Sequence, residues 1–515
     1  MLWIATVLLL RLARTGTTVS CAPTMAVPPR TPVLVGAAQL SQRAEDPALA
    51  REPIVLMRDA LRAAAEDAGA PALLAQADSI RVTQGFHDYG NPAAWLAGQL
   101  GAASPQTVLA TISGTGVQQM IDDAAAGILA GRRDVVLIAG GEAERSARRL
   151  KRAGGTPERT KVDAPPPDLV VGERAADWRT NPDISAGLHG APNLFALFET
   201  ALRHHLGLDV AAHRARIGAL WARFAAVAAA NPDAWVRSAP SAEQIAAPGE
   251  GNPWVSYPYT KLLVANAAVD QAAALILCSA EAARRAGVPE SRWVYLVAAT
   301  EAVVVRHVSE RVELFEEPPL RIAGPRALEL AGVEAAALDF VDLYSCFPVA
   351  VQLAAEALGL PLERPLTVTG GLTFAGGPLN SYVIHAIATT MARLRERPDA
   401  TALVSSVGGF FSKHAFGVYA GHPPAAPFRC EDLAGEMRAL PKRAYDLTYS
   451  GPARIEAYTI AHPRSRPAHA VLAVRTPEET RSWARSSDPD LLAALEREDW
   501  VGREVRVRED RGIEA

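Results

Sequence analysis

The chain has 515 residues, of which 49% are hydrophobic and 21% charged, and a formal net charge of −4. That length suits roughly two to four domains with a large buried core, the composition excludes a disordered chain, and the slight acidic balance excludes the basic excess of a nucleic-acid binder. Cysteines at 21, 278, 346 and 430 have neither metal-ligand spacing nor a disulfide framework, which points to a reducing compartment and to no metal.

Residues 1–30 read as an N-terminal extension. Its apolar run LWIATVLLL is too short to span a membrane, and no positive residue precedes it as in a signal peptide. Met25 then reads as the initiator, with a signal segment over residues 1–24 as the alternative, and a cytoplasmic protein without a membrane partner is the expectation. From Pro32 the chain alternates: strand PVLVGAAQ, amphipathic helix REPIVLMRDALRAAAEDAGA, strand SIRVTQG, and helix NPAAWLAGQLG opened by Asn-Pro. Residues 107–141 give a strand, a glycine-framed turn, a helix and a strand ending in Gly140-Gly141. The turn Ser113-Gly114-Thr115-Gly116 places a hydroxyl and free backbone N–H groups where strand becomes helix.

The rhythm then breaks. An arginine-rich helix, Pro165-Pro166-Pro167 and a helical pair from Asn193 to Ala230 form an insertion over about 145–255. Alternation returns at Ala267, and from Trp293 to about Gly421 a second run repeats the first: VYLVAAT, RALELAGV, FVDLY, VAVQLAAEALG, GGPLN, YVIHAIATTMARLRE and TALVSSVGG. Strands alternating with helices predict an α/β sheet covered on both faces. Residues 422–515 begin with the proline-rich connector HPPAAPFRC and continue with short alternating strands, RIEAYTIAH, HAVLAVRT and EVRVRED, which suit a small barrel or sandwich.

Four segments in order resemble the thiolase superfamily. Ser113-Gly114-Thr115-Gly116 with Gly140-Gly141-Glu142 resembles the nucleophile segment; Asn266 to Asp270 with QAAALILCSAEAARRAG resembles a second motif, with Gln271 in place of the usual glycine. Tyr344-Ser345-Cys346-Phe347 lies where the family has Asn-Glu-Ala-Phe or His-Asp-Cys-Phe, and Gly376-Gly377-Pro378 where it has Gly-His-Pro. The resemblance implies a duplicated five-layer αβαβα core. Its first half is residues 31–290 with a loop insertion, its second half is 291–421, and 422–515 is a linker with a small β-rich, OB-like domain.

The family chemistry does not carry over intact. On this register Ser113 stands at the nucleophilic cysteine, Gly377 at the basic histidine, and Ser406-Val407-Gly408 at the Cys-x-Gly motif. A serine needs an adjacent base, since a helix dipole alone does not ionise it. The candidate catalytic residues are therefore Ser113, Tyr344 as a proton donor or acceptor, Cys346, and His414, which follows a Gly408-Gly409 turn and could swing over the pocket. Each has a plainer reading: a turn-forming serine, a packed ring, a small buried hydrophobe, a loop histidine. His385 reads as mid-helix packing, and Gly421-His422-Pro423 as a coincidental triplet beyond the last core strand.

Coenzyme A, as a thioester substrate and not a resident cofactor, is the ligand the resemblance implies. Gly114, Gly116, Gly376 and Gly377 would approach it. Arg148 and Arg149, with Arg145, Lys151 and Arg152, would meet its phosphates or else form a solvated helix face. Three readings stay open: an acyltransferase of lipid metabolism like the acetyl-CoA acetyltransferases, a retro-aldol lyase on acyl-CoA side chains using Tyr344, and a non-catalytic acyl-CoA-binding or scaffold protein. The resemblance also implies a homodimer through the core sheet, a contact the C-terminal segment could block or replace. All three readings require the loops near 113, 344, 377 and 406 to meet.

Overall fold

A computed structural model describes residues 27–172, 181–409 and 411–514. The apolar run at the N-terminus and Met25 lie outside the described residues. The first half contains β1 (Pro32–Ser41), α1 (Pro53–Asp67), β2 (Ser79–Thr83), α2 (Pro92–Leu100), β3 (Gln106–Ala110), α3 (Gly116–Leu129) and β4 (Val135–Ala143). The Asn-Pro signal behaves as expected: the Asn91 side chain accepts from Ala94 N at 3.2 Å, Pro92 opens α2, and Gly101 ends it in the left-handed region. The insertion holds α4 (Glu144–Arg152), β5 (Leu169–Val171), α5 (Pro182–Ala186), α6 (Ala191–His205), α7 (Val210–Ala230), α8 (Ala242–Ala246), β6 (Trp254–Tyr257) and β7 (Tyr259–Thr260). β8 (Asp270–Ser279) and α9 (Ala280–Arg285) close the half.

The second half runs through β9 (Val294–Val303), α10 (Pro318–Ala331), β10 (Phe340–Asp342), α11 (Pro348–Ala357), α12 (Gly371–Phe374), α13 (Tyr382–Glu396), β11 (Thr401–Gly408) and β12 (Lys413–Ala420). The remainder is β13 (Arg429–Asp432), α14 (Ala434–Ala439), β14 (Gly451–Ala461), β15 (His469–Arg475), β16 (Arg481–Ser486), α15 (Pro489–Arg497), β17 (Glu504–Val507) and β18 (Ile513–Glu514).

The duplication is explicit in the sheet. Outward from the centre the first half orders its strands β1-β8-β4-β2, and the second orders them β9-β12-β11-β10. The senses correspond: antiparallel, antiparallel, then parallel in both halves. β1 and β9 join the halves antiparallel through Val33 opposite Tyr295 and Leu34 opposite Val294. Helix α3 packs on both β8 and β12, and α13 on β1, β8 and β11, so these two helices form the middle layer. Helices α1 and α2 cover the first half-sheet, and α10 covers the second, with α11 packed beside α10. The five alternating layers follow. Both central helices are buried over most of their residues, polar ones such as Gln118, Asp122 and His385 included, as their doubly covered position requires.

Two segments cross the domain limits expected from the sequence. Residues 429–432, expected in the linker, form β13 and pair parallel with Ala298–Glu301 of β9. β1 leaves β9 after Leu34, at an irregularity where Gly36 lies so close to α1 that an added Cβ would sit 2.2 Å from Ala64 O. β9 is left with bare backbone groups, and β13 satisfies them. Conversely, β6 of the insertion pairs with β14, extending the C-terminal sheet of order β16-β15-β14-β17-β18.

Buried polar contacts fasten the C-terminal domain to the core. Arg481, fully buried, donates through Nε and Nη2 to both oxygens of Glu456 at 2.7 and 2.6 Å and through Nη1 to Val308 O at 2.8 Å. Trp483 Nε1 donates to Ser309 Oγ at 3.1 Å. Among the described residues no helix is long and apolar enough to cross a membrane.

Candidate functional site

Strand β3 ends at Ala110, and its parallel neighbour β2, with β4 beyond it, ends on the same edge of the sheet. Ligands of α/β sheets gather at such carboxyl ends. The turn after β3 is closed by Gly116 N donating to Ser113 O at 3.1 Å. The Ser113 hydroxyl lies 2.7 Å from that of Thr115, and its one further hydrogen bond is a long one from Thr115 N at 3.4 Å. No imidazole, carboxylate or amine bonds it among the described residues.

The opposite half closes over this turn. A Cβ on Gly408 would fall 2.1 Å from Ser113 Oγ, and one on Gly114 would fall 2.1 Å from Val407 O and 2.9 Å from Tyr344 Oη. The 113 turn, Tyr344 and the end of β11 therefore meet at one point, and only glycine fits at 114 and 408. The Gly114 N–H and the Tyr344 hydroxyl have no hydrogen-bond partner among the described residues, so both can donate to a ligand carbonyl oxygen.

Tyr344 is braced from behind. Its N–H donates to Ser405 Oγ at 2.9 Å, and its ring meets that of Tyr382 edge-on at 5.5 Å. Burial, helped by Cys346, pushes its phenol far above the ordinary range, so it stays protonated. Cys346 is 8% exposed, and burial holds its thiol well above the ordinary range. It is therefore a poor source of thiolate. Ser345 Oγ accepts from Leu372 N at 3.2 Å and tethers the segment leading to the 376–377 turn. There Gly377 N donates to Asn266 O at 2.9 Å. Gly376, in the left-handed region, faces Gln271 Oε1, which an added Cβ would meet at 2.0 Å. The substitution Gln271 noted in the sequence thus fills space beside this turn.

His414 departs from expectation. It is not on a loop but in β12, opposite Val407 and fully buried. Burial and the nearby Arg311 push its imidazole down to about 3, and its Nε2 lies 3.4 Å from Glu317. It cannot swing over the turn. The reason is that the Gly408-Gly409 turn is short, and the antiparallel pairing of β11 with β12 resumes at Lys413. His385 is buried on α13 with Nδ1 2.9 Å from Gln39 Oε1, as packing predicts. His422 is exposed beyond β12. Arg148 pairs with Glu144 at 2.6 Å, and Arg149 donates to the carbonyls of Ala44 and Glu45, so both guanidinium groups are engaged within the protein.

Two features escaped the sequence reading. At the ends of β2 and β4, Glu142 accepts from Phe86 N at 2.7 Å, and burial pushes its carboxyl up to about 7. Its neighbour across Gly85 is His87, pushed down to about 4 by burial and by Arg159. The GGE motif marked Glu142, but nothing in the sequence joined it to His87.

The second feature is a pair of hollows that share His189. One, of 470 Å³, lies between β6 and the β14–β15 turn and carries His189, Lys261, His462, Arg464, Arg466 and His469. The other, of 320 Å³, is largely apolar (Ile184, Leu188, Leu194, Phe195) and reaches Gly409, the residue after Gly408. Phe195 stacks on Phe347 at 4.4 Å, which ties this hollow to the Tyr344–Phe347 segment. Because these residues come from distant segments, only the fold could reveal the pairing.

This architecture, with two mirrored half-sheets around two central helices and a turn at the head of one of them, is that of the thiolases. The Ltp2-ChsH2(DUF35) aldolase shares the fold at 18% identity, with a TM-score of 0.57 over 77% of this chain and 99% of its own. A solved monomeric SCP2-thiolase-like protein type 1 from Mycobacterium smegmatis is 32% identical, with a TM-score of 0.81 over 94% of this chain and 98% of its own. Residues 432–512 match the family described as the thiolase-like protein type 1 additional C-terminal domain. The chain belongs to the thiolase-like proteins of type 1, which carry that additional domain. It is also 29% identical over 140 residues to acetyl-CoA acetyltransferase 1 of Arabidopsis thaliana, a match spanning 27% of this chain and 31% of that enzyme.

Proposed function

We propose that this protein binds an acyl-CoA thioester without forming an acyl-enzyme. The observation that carries the reading is the pair of hollows that share His189. The basic one suits the phosphates of coenzyme A, the apolar one suits a pantetheine or acyl chain, and the apolar one is lined by Gly409, next in the chain to the Gly408 that meets Ser113. There the Gly114 N–H and Tyr344 hydroxyl can hold the thioester carbonyl. The chemistry of acyl transfer finds no support at that point. Ser113 is capped by Gly408 and bonded to Thr115, and Cys346 is held as a thiol.

Retro-aldol cleavage of an acyl-CoA side chain is the second reading. The protonated Tyr344 phenol against Gly114 favours it, since such a donor stabilises the enolate oxygen left when a carbon–carbon bond breaks. Acetyl-CoA acetyltransferase-like transfer is the third, resting on the partial likeness to the Arabidopsis enzyme. Calorimetry with coenzyme A and acetyl-CoA, intact-protein mass measurement after incubation, and assay with a β-hydroxyacyl-CoA separate the three. Saturable binding that Arg464→Glu with Arg466→Glu weakens at least tenfold, with no mass change, is the expected result. Acylation at Ser113 or Cys346 overturns it in favour of transfer, and absence of binding overturns all three.

A further inference from the structure

A second cluster lies away from the Ser113 turn. Asp122 on α3, Glu301 on β9 and Cys430 on β13 each place one ligand atom within 4.8 Å of the other two. The supports are specific. Gln118 Nε2 donates to Asp122 Oδ1 at 2.8 Å, while Gln118 Oε1 accepts from the Tyr419 hydroxyl at 2.8 Å. Gln119 Nε2 donates to Glu301 Oε2 at 3.0 Å. One oxygen of each carboxylate is thus fixed by an amide, as metal-binding carboxylates commonly are. The other oxygen of Asp122, Oδ2, has no hydrogen-bond partner, although Asp122 is only 3% exposed. Asp432 lies near Glu301 and adds to the negative field there, while the neighbouring Asp123 is paired with Arg81 at 2.7 Å. Two carboxylates and a thiol that converge in this way are short of a cation.

We propose that Asp122, Glu301 and Cys430 bind one divalent transition-metal ion of the zinc class at the junction of α3, β9 and β13. A mixed oxygen and sulfur set suits zinc better than calcium or magnesium. Zinc ligands stand about 2.0–2.3 Å from the metal, so the exposed Cys430 side chain closes inward on binding, and a water completes the fourth position. Binding the cation through sulfur requires the Cys430 thiol to give up its proton, so metal affinity falls as pH drops. The ion would tie together the helix that carries the Ser113 turn, the first strand of the second half and the segment leading to the C-terminal domain.

The test uses the full-length protein, stripped with a chelator and titrated with Zn²⁺ and with Co²⁺. The expected result is one equivalent of Zn²⁺ with a raised melting temperature, and a Co²⁺ adduct with a thiolate charge-transfer band in the near ultraviolet. Cys430→Ser abolishes that band, and Asp122→Asn weakens binding at least tenfold. Gln119→Ala, which touches no metal, weakens it by about tenfold through Glu301. Cys430 is exposed, so its serine variant folds and keeps the comparison valid. A wild-type protein that binds no Zn²⁺, or binds it no more tightly than Cys430→Ser, overturns the proposal.

Discussion

Replacing Gly408 by alanine tests whether the two halves meet at the Ser113 hydroxyl. The new Cβ would lie 2.1 Å from Ser113 Oγ, more than an ångström inside ordinary contact of about 3.5 Å. Val407 O already lies against Gly114, so β11 has little room to retreat, and the serine side chain must rotate. It then gives up its 2.7 Å bond to Thr115, whose hydroxyl is fully buried and is left without its partner. A lost hydrogen bond contributes about 0.5–1.5 kcal/mol and overpacking about 1–3 kcal/mol, so Gly408→Ala alone should destabilise by about 2–4 kcal/mol. Ser113→Ala alone should cost about 1–2 kcal/mol. In the double variant the clash disappears, because the Ser113 Cβ is 3.3 Å from the new methyl, a tight but tolerable contact. The double variant should therefore be no less stable than Gly408→Ala, with a coupling of about 1–2 kcal/mol. Urea midpoints followed in parallel by tryptophan fluorescence and far-ultraviolet circular dichroism read this out. Additivity within about 0.5 kcal/mol would refute the contact.

If the retro-aldol reading holds, Tyr344→Phe lowers turnover by about 10²–10³-fold with little change in coenzyme A affinity, as removal of one oxyanion donor does; steady-state kinetics beside calorimetry distinguish this from a binding role. Glu142 and His87 impose opposite pH slopes. Between its ordinary 4.5 and about 7 the folded protein keeps a proton on Glu142 that the unfolded chain has shed, so this group's contribution falls as pH rises through that window. His87 refuses a proton between 6.5 and about 4 that the unfolded chain accepts, so its contribution falls as pH drops. Glu142→Gln should then be the more stable protein at pH 8, by about 1–3 kcal/mol, and should lose stability more steeply than wild type on acidification below pH 6.5; melting temperatures across pH check both signs. Arg481→Ala leaves the buried Glu456 carboxylate with Arg475 as its remaining cation, at 3.0 Å, and should cost about 2–4 kcal/mol, with limited proteolysis releasing the C-terminal domain first.

The alternation of strands and helices and the glycine-framed turn at 113–116 made the duplicated core readable before any coordinates, because periodicity and glycine report local backbone geometry. Long-range consequences were hidden. The segment Arg429-Cys430-Glu431-Asp432 has the composition of a linker, and only the edge left open on β9 makes it a strand. His414 follows GGFFSK, which reads as loop, yet cross-strand pairing buries it. Asp122 sits among the polar residues Gln118, Gln119 and Asp123 of α3, and the partners Glu301 and Cys430 lie far away in the chain. The basic hollow likewise draws on the insertion and the C-terminal domain.

The exchange of strands between core and C-terminal sheet has a consequence for biosynthesis. β6 reaches the ribosomal exit before β14 exists, and the edge of β9 waits uncovered until residues 429–432 emerge. Nascent chains usually mature one domain at a time from the N-terminus, but here each unit holds a piece of the other. Truncation anywhere between 422 and 432 would leave a raw β9 edge open to self-association, so the core is not a separable fragment.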